Sequence, residues 1–417
     1  MDHSIEDREW LESLKAKGMN LGLERTKAYV DRLGIPWPEH VFHIAGSNGK
    51  GTACAQMVAC LQAQGMNTLL FTSPHLIRVE ERTRYNGKPI SSSLYSLVLR
   101  NLRQRLHGEG DNLTFFEATY LVTLECLRHL DVDALILETG LGGRLDATRT
   151  APATCGVVTS ISLEHTDVLG HRIEDIAKEK AGIARPNCPI FVKHPHSEGI
   201  QRAFEEVASN PTILGIDEQE GRAHLHFIDT TLSCDYFDEA QLLIHQTLHS
   251  YLGIECGQRV HQVSWPGRQQ LLQHHDIEFF LEGAHNPSGM QHALGSMANN
   301  WPSNWSLMFG TSPQQSMSDM IEPLRPWLTR NPPFHIILTS PQKGRYPGVP
   351  PSELLAYFES YNVPIFEFDQ PEQAIDHIMH NCTSPHRVLV IGSLYLQGNV
   401  LEALGYDSDE QLSLFED

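Results

Sequence analysis

Short apolar runs, each followed by a stretch of helical period, recur along nearly the whole chain, and that alternation leaves few folds open. Strands are expected near 41–45 (VFHIA), 67–71 (NTLLF), 133–138 (DALILE), 153–162 (ATCGVVTSIS) and 189–192 (PIFV). Helices are expected over 51–64, 92–107, 114–130, 171–184 and 238–252. The pattern restarts at 277–282, 305–310, 334–340, 363–368 and 387–393, and each of these runs again precedes a helical segment. Between the halves lies SWPGRQQ (264–270), a Pro-Gly turn suited to a hinge. The expectation is two α/β domains built on parallel sheets and joined near residue 265, with the cleft between them as the default active site.

Composition removes several function classes. The formal net charge of −20 leaves no basic face to neutralise phosphates, which argues against a general nucleic-acid binder. The eight cysteines (54, 60, 126, 155, 188, 234, 256 and 382) include no C-x-x-C pair, so reduced thiols are expected, without a disulfide framework or zinc site. MDHSIEDREW at the N-terminus is acidic and lacks the apolar stretch of a signal peptide. No apolar run approaches membrane-spanning length. A soluble cytoplasmic protein is expected.

HIAGSNGKGTACA (43–55) looks like a phosphate-binding loop displaced by one residue. The usual G-x-x-x-x-G-K-[ST] places a hydroxyl directly after the lysine, within reach of Mg²⁺. Here Gly51 follows Lys50, and the hydroxyl comes one place late at Thr52. The loop follows a strand and opens a helix, so its N–H groups and the helix dipole face an anion. A plain glycine turn carrying a solvated lysine accounts less well for strand, loop and helix together.

Ligands bind beyond the carboxyl ends of strands in an open parallel sheet, and the polar oddities of the first half cluster there. Ser73 follows the second strand. Glu138 closes the third, apolar strand, a costly place for a carboxylate without a partner or metal. Gly142 and Gly143 follow, letting backbone approach a ligand. His165 follows the fourth strand. In HRIEDIAKEKAGIAR (171–185), Lys180 shares the apolar face of Ile173, Ile176, Ala177 and Ala184. It either snorkels outward or is altered or paired inside the site.

GSNGKGT, TSPHL, LETGLGGRLDAT, EHTD with EKAGI, WPGR, LEGAHNP and GSLYLQGNVL, in this order, resemble the folylpolyglutamate synthase/dihydrofolate synthase family of the Mur ligase superfamily. The family's loop reads G-K-G-[ST], so the late hydroxyl is regular. The resemblance implies a P-loop-ATPase-like parallel-sheet domain over 1–263, a hinge over 264–276, a smaller Rossmann-like glutamate-ligase domain over 277–405 and an acidic tail over 406–417. It further implies that Gly46, Ser47, Asn48, Gly49, Lys50, Gly51 and Thr52, with Arg268 and Glu282, hold ATP. Ser73, Glu138, His165 and Thr52 would hold Mg²⁺, with two ions expected, together with Lys180 carbamylated to an anionic ligand. Leu145, Asp146, Ala147 and Arg82 would bind the pterin, and His285 with Glu282 would meet ATP and the incoming glutamate. Lys50, His165, Lys180 and His285 are the implied catalytic residues. The chain departs from the family with Glu164 and Glu282 in place of Asp, with Arg149 where DATN is usual, and without an asparagine near Asp238 and Glu239.

The implied reaction is ATP-dependent amide formation: ATP phosphorylates a carboxylate, and the amine of L-glutamate displaces phosphate from the acyl phosphate. A cell-wall Mur ligase would need a UDP-sugar domain, for which the residues before Gly46 leave no room. A related ligase acting on a non-folate acid stays open because of the departures. A dead binding protein fits poorly with Lys50, Glu138, His165 and Lys180 all present. A monomer is expected. Gln411–Phe415 (QLSLF) resembles a peptide that docks on the bacterial sliding clamp, in a tail expected to be disordered. The alternative is that Leu412, Leu414 and Phe415 fold back on the second domain.

Overall fold

A computed structural model describes residues 3–18, 20–106, 112–230, 236–257, 262–297, 301–344, 346–382 and 385–415. Among the expected thiols, Cys234 lies outside these residues. The chain forms two compact units, one of residues 1–74 and 79–263, the other of 75–78 and 264–417.

The first unit is built on strands β1 (His40–Ala45), β2 (Thr68–Phe71), β3 (Thr83–Tyr85), β4 (Lys88–Pro89), β5 (Ala134–Glu138), β6 (Cys155–Val158), β7 (Pro189–Lys193) and β8 (His224–Ile228). They form one sheet in the order β4-β3-β2-β5-β1-β6-β7-β8, with only the β3 and β4 pairings antiparallel. Five of these strands match the apolar runs. The register pairs Ile44 with Glu138 and Ala45 with Val158, so β1, β5 and β6 end at one edge of the sheet. The Lys50–Ala63 helix is buried from Gly51 to Leu61, which its small residues Ala53, Cys54, Ala55 and Ala59 permit. Beneath the Ile173–Ala181 helix, Ala45, Val158, Ala177, Ala181 and Ile183 share one apolar cluster with β7.

The second unit has β9 (Gln270–His274), β10 (Ile277–Glu282), β11 (Trp305–Phe309), β12 (Ile336–Thr339), β13 (Ile365–Phe368) and β14 (His386–Ile391) in the order β13-β12-β11-β14-β10-β9. All neighbours are parallel except β9 with β10. Trp305, Phe309 and Trp327 fill one face, while Phe279, Val388 and Leu396 fill the other with Leu76 and Ile77 packed against them.

Three expectations need correction. Residues 270–274 are the edge strand β9 and not linker; its half-buried, alternating side chains hid it behind the preceding turn signal. The tail is ordered to Phe415: Leu412 and Leu414 are fully buried, Phe415 is buried, and Leu414 O accepts a hydrogen bond from Ser264 N. Three large apolar side chains gain more from burial than an acidic composition suggests. Finally, Cys60 and Cys256 form a disulfide across 196 residues of sequence, with Cα atoms 4.7 Å apart. A search for closely spaced cysteines cannot find a pair that only the fold brings together. Cys54, Cys126, Cys155, Cys188 and Cys382 are free.

Candidate active site

The phosphate loop is held from beneath by the segment that leaves β6. Ser47 N donates to Ser160 O at 2.7 Å, Asn48 N donates to Ser160 Oγ at 3.0 Å, and Ser162 N donates to Ser47 Oγ at 2.9 Å. Thr159 Oγ1 donates to Asn48 O at 2.7 Å. Thr159, Ser160 and Ser162 lie in the stretch 153–162 expected as strand, whose regular part ends at Val158. Gly46 is irreplaceable on steric grounds: its φ is +147°, and a Cβ there would lie 1.9 Å from Thr159 Oγ1. Lys50 opens the helix, and its Nζ donates to Gly46 O and Ser47 O at 3.0 and 3.3 Å, folded over its own loop.

Lys180 reaches the same loop from the Ile173–Ala181 helix. Its side chain is buried, and Nζ donates to Gly46 O at 2.9 Å and to Glu164 Oε1 at 2.7 Å. Burial of the ammonium, offset in part by Glu164, brings the lysine pKa down to about 8. Burial alone would raise the Glu164 carboxyl, but the charges of Lys180 and then Lys50 outweigh it and hold that group at about 2. His165, next in sequence, caps the Thr166–Leu169 turn in a left-handed conformation with φ 45° and stands exposed. Partial desolvation lowers its pKa, while Glu164 pulls the other way.

Glu138 is buried at the end of β5, where its Oε2 accepts from Ser73 N at 3.1 Å. The loop that follows closes on Asp146. Its Oδ2 accepts from Gly140 N and Leu141 N at 2.8 and 3.0 Å, and its Oδ1 accepts from Thr148 N at 3.0 Å and from Thr148 Oγ1. Those four bonds use the acceptor capacity of a carboxylate, so Asp146 shapes its own loop. His43 Nε2 lies 2.8 Å from Thr148 Oγ1, and burial, with Arg149 second, holds this histidine neutral at about 3. Leu145 is half-buried and Ala147 buried beside Asp146. Gly143 lets the loop touch the Lys180 helix: a Cβ there would meet Glu179 O at 2.9 Å and Lys180 O at 3.0 Å. Arg82 is buried with its guanidinium 4.9 Å from the centre of the Phe115 ring.

Whether this group of residues suits Mg²⁺ and phosphate can be judged from its hydroxyls. Thr52 Oγ1, Thr139 Oγ1 and Ser162 Oγ are buried without a hydrogen-bond partner, a costly state that oxygen ligands or a cation would relieve. Thr52 and Thr139 belong to the loop and strand ends named above, so the donor set fits. Among the described residues no cluster of three or more His, Cys, Asp or Glu could hold a metal by itself. A hard cation with phosphate and hydroxyl ligands does not require one.

In the second unit, Glu282 ends β10 buried, and Ala284 N donates to its Oε1 at 3.0 Å. His285 is exposed, its Nδ1 2.8 Å from Gly283 O. Arg268 closes a turn through its N–H to Trp265 O at 3.0 Å, and its Nε is buried without a partner. Sequence reasoning missed the Glu164–Lys180 pair and the buried Glu117, which accepts from Arg25, Thr26 and Thr114. The T-x-x-E spacing of Thr114 and Glu117 carried the latter signal, because it forms a capping box.

No helix is long and apolar enough to cross a membrane among the described residues. Residues 267–394 match the family model of the Mur ligase glutamate ligase domain. The dihydrofolate synthase/folylpolyglutamate synthase of Escherichia coli (strain K12) is 43% identical over 188 residues, which are 45% of this chain and 44% of that protein. The match thus spans under half the length of that relative. The protein of the same name from Bacillus subtilis (strain 168) is 30% identical over 351 residues, 76% of this chain and 81% of that one. A solved bifunctional folylpolyglutamate synthase/dihydrofolate synthase with Mn, AMPPNP and L-glutamate bound superposes with a TM-score of 0.79 at 26% identity, covering 96% of this chain and 98% of the other. This chain belongs to the dihydrofolate synthase/folylpolyglutamate synthase family.

Proposed function

We propose that the chain is an ATP-dependent ligase that joins L-glutamate to the carboxylate of a pterin or folate through an acyl phosphate. The observation that carries this reading is the phosphate loop, Glu138 and the buried Lys180–Glu164 pair gathered at one sheet edge, in a chain that shares most of its length with relatives of that name. Gly46 to Thr52 bind the ATP phosphates, and Lys50 leaves Gly46 O and Ser47 O to meet them. Thr52, Ser73, Glu138 and His165 hold the metal, which neutralises charge on the phosphate oxygens. Arg268 and Glu282 serve the nucleotide, and His285 serves the incoming glutamate. Leu145, Ala147 and Arg82 serve the pterin, while Asp146 acts through the loop it organises.

Lys180 is proposed to be carbamylated, its neutral amine adding CO₂ and losing a proton. A pKa near 8 supplies some neutral amine at physiological pH, and the reaction displaces the ion pair to Glu164. The protein is proposed to act in the cytoplasm as a monomer. A sliding-clamp contact through Gln411–Phe415 would require Leu412 and Leu414 to leave their buried positions, and titrating a labelled tail peptide against purified clamp tests it.

The deciding experiment offers dihydropteroate, tetrahydrofolate and folylglutamates to the purified protein with ATP, Mg²⁺ and L-glutamate. ADP release matched by a product one glutamate heavier is expected with at least one of them. ADP release with none of them removes the folate reading.

A further inference from the structure

Arg149 occupies the turn after Asp146, and its side chain is fully buried. Its Nε donates to Gly182 O at 2.8 Å, and its Nη2 donates to Ala184 O at 2.9 Å and Pro211 O at 3.4 Å. The two terminal nitrogens also grip Asp217, with Nη1 to Oδ1 at 3.0 Å and Nη2 to Oδ2 at 2.9 Å. Arg185 answers from the other side. Its Nη1 donates to Asp217 Oδ1 at 2.7 Å, and its Nη2 donates to the carbonyls of Arg149 and Ala151. Each arginine therefore holds the backbone of the other's segment, with one carboxylate between them.

The two segments so joined carry the site. One is the turn that Asp146 caps, directly after the loop that leaves Glu138. The other is the end of the helix bearing Lys180, which reaches Gly46 and Glu164. A further bond, Arg144 N to Glu179 O at 2.8 Å, runs between the same two pieces. Two guanidinium groups on one carboxylate leave a net positive charge inside the protein. Such a cluster is weak as a source of stability, because desolvation offsets the attraction and apolar side chains often do as well. Its distinctive property is geometry: a planar fork fixes both distance and angle between the backbones it binds.

We propose that Arg149 is a positioning residue for Mg²⁺-dependent nucleotide binding. Its clasp with Asp217 and Arg185 sets the place of the Lys180 helix relative to the loop after Glu138. The inference rests on the functional reading above, since it concerns the same site.

Arg149→Lys separates the two roles of the side chain. An ammonium can still pair with Asp217, but it cannot also hold Gly182 O and Ala184 O in one plane. The test measures thermal melting by circular dichroism and ADP affinity by calorimetry, with and without Mg²⁺. The expected result is a melting temperature within a few degrees of the parent, with Mg²⁺-dependent ADP affinity reduced about tenfold or more. Melting that falls while ADP affinity stays at the parent value in the folded protein makes the residue structural and overturns the proposal. If Arg149→Lys does not fold, Arg185→Lys loosens the other half of the clasp and is held to the same two outcomes. A parent protein that does not bind ADP at all defeats the functional reading and this inference with it. A parent that binds, beside an Arg149→Lys variant that binds equally well, defeats the inference alone.

Discussion

The Lys180 ammonium lies 2.7 Å from the Glu164 carboxylate, with the lysine side chain 2% and the glutamate 12% exposed. Glu164, from the loop after β6, thus places its carboxylate against a buried helix face. With Lys180 uncarbamylated, the folded Glu164 titrates at about 2, below its ordinary value of 4.5, so its contribution to stability is fully present above pH 4.5. It is lost as pH falls from there through 2. About 3 kcal/mol is at stake in all, roughly 2 of it between pH 6 and pH 3. Denaturant titrations at pH 6 and pH 3 on the parent and on Glu164→Gln measure it. The parent is expected to lose more stability between the two than the variant, and equal losses would remove the pair from the acid limb.

Glu138→Gln is expected to reduce glutamate ligation at least a hundredfold while the protein still folds, because the change keeps volume and removes only charge. Thr52→Val, also nearly isosteric, should weaken Mg²⁺-dependent turnover more than ADP binding without metal. Ligation by Glu138→Gln at the parent rate in saturating Mg²⁺ would take this carboxylate out of the metal set.

If Lys180 is carbamylated as proposed, activity depends on an anionic group at that position. Lys180→Ala should be nearly inactive and partly rescued by a short carboxylate such as acetate, which can occupy the vacated space. Full activity in Lys180→Ala without acetate would refute the role.

Gly46→Ala places a methyl group against Thr159 Oγ1 at a backbone angle that L-residues rarely adopt. The loop must move, so both melting temperature and ATP affinity should fall. Combining it with Thr159→Gly should restore part of the stability lost to the clash, but not the part lost to backbone strain.

The Cys60–Cys256 bond closes a long loop, which in the chain-entropy model contributes about 2–5 kcal/mol. Dithiothreitol should lower the melting temperature of the parent and leave Cys256→Ser unchanged. No effect of reductant on the parent would mean that the bond adds nothing to equilibrium stability.

Apolar runs announced every buried parallel strand of both units. What escaped were elements whose side chains face water on one side. Strand β8, HLHFI, alternates histidine with apolar residues over its first four positions, and His224 and His226 are exposed. The β3–β4 hairpin did carry a signal, the Asn86-Gly87 turn, whose positive φ values of 51° and 83° suit that pair. At the site, contacts along one local motif were legible: the loop, its lysine and the strand-end Glu138. Those made between distant segments were not. Nothing in the spacing of Glu164 and Lys180, which share the β6–β7 connection, or of Arg149 and Asp217, says that they touch, because the fold of the intervening segments brings them together. Arg149, which stands where the family usually has the asparagine of DATN, is a fully buried partner of Asp217.

His75–Arg78 belong to the second unit, and this bears on how the protein is made. Leu76 and Ile77 pack on a core whose own strands begin at Gln270, and Arg78 pairs with Asp409 near the end of the chain. On the ribosome those early residues must therefore stay uncovered while most of the chain is still being translated, roughly ten seconds or more at ordinary elongation rates. A gene cut at residue 264 would also separate them from their partners. The second half expressed alone would lack part of its own interior, whereas supplying the 75–78 segment in trans, or on a short leader, should improve its yield.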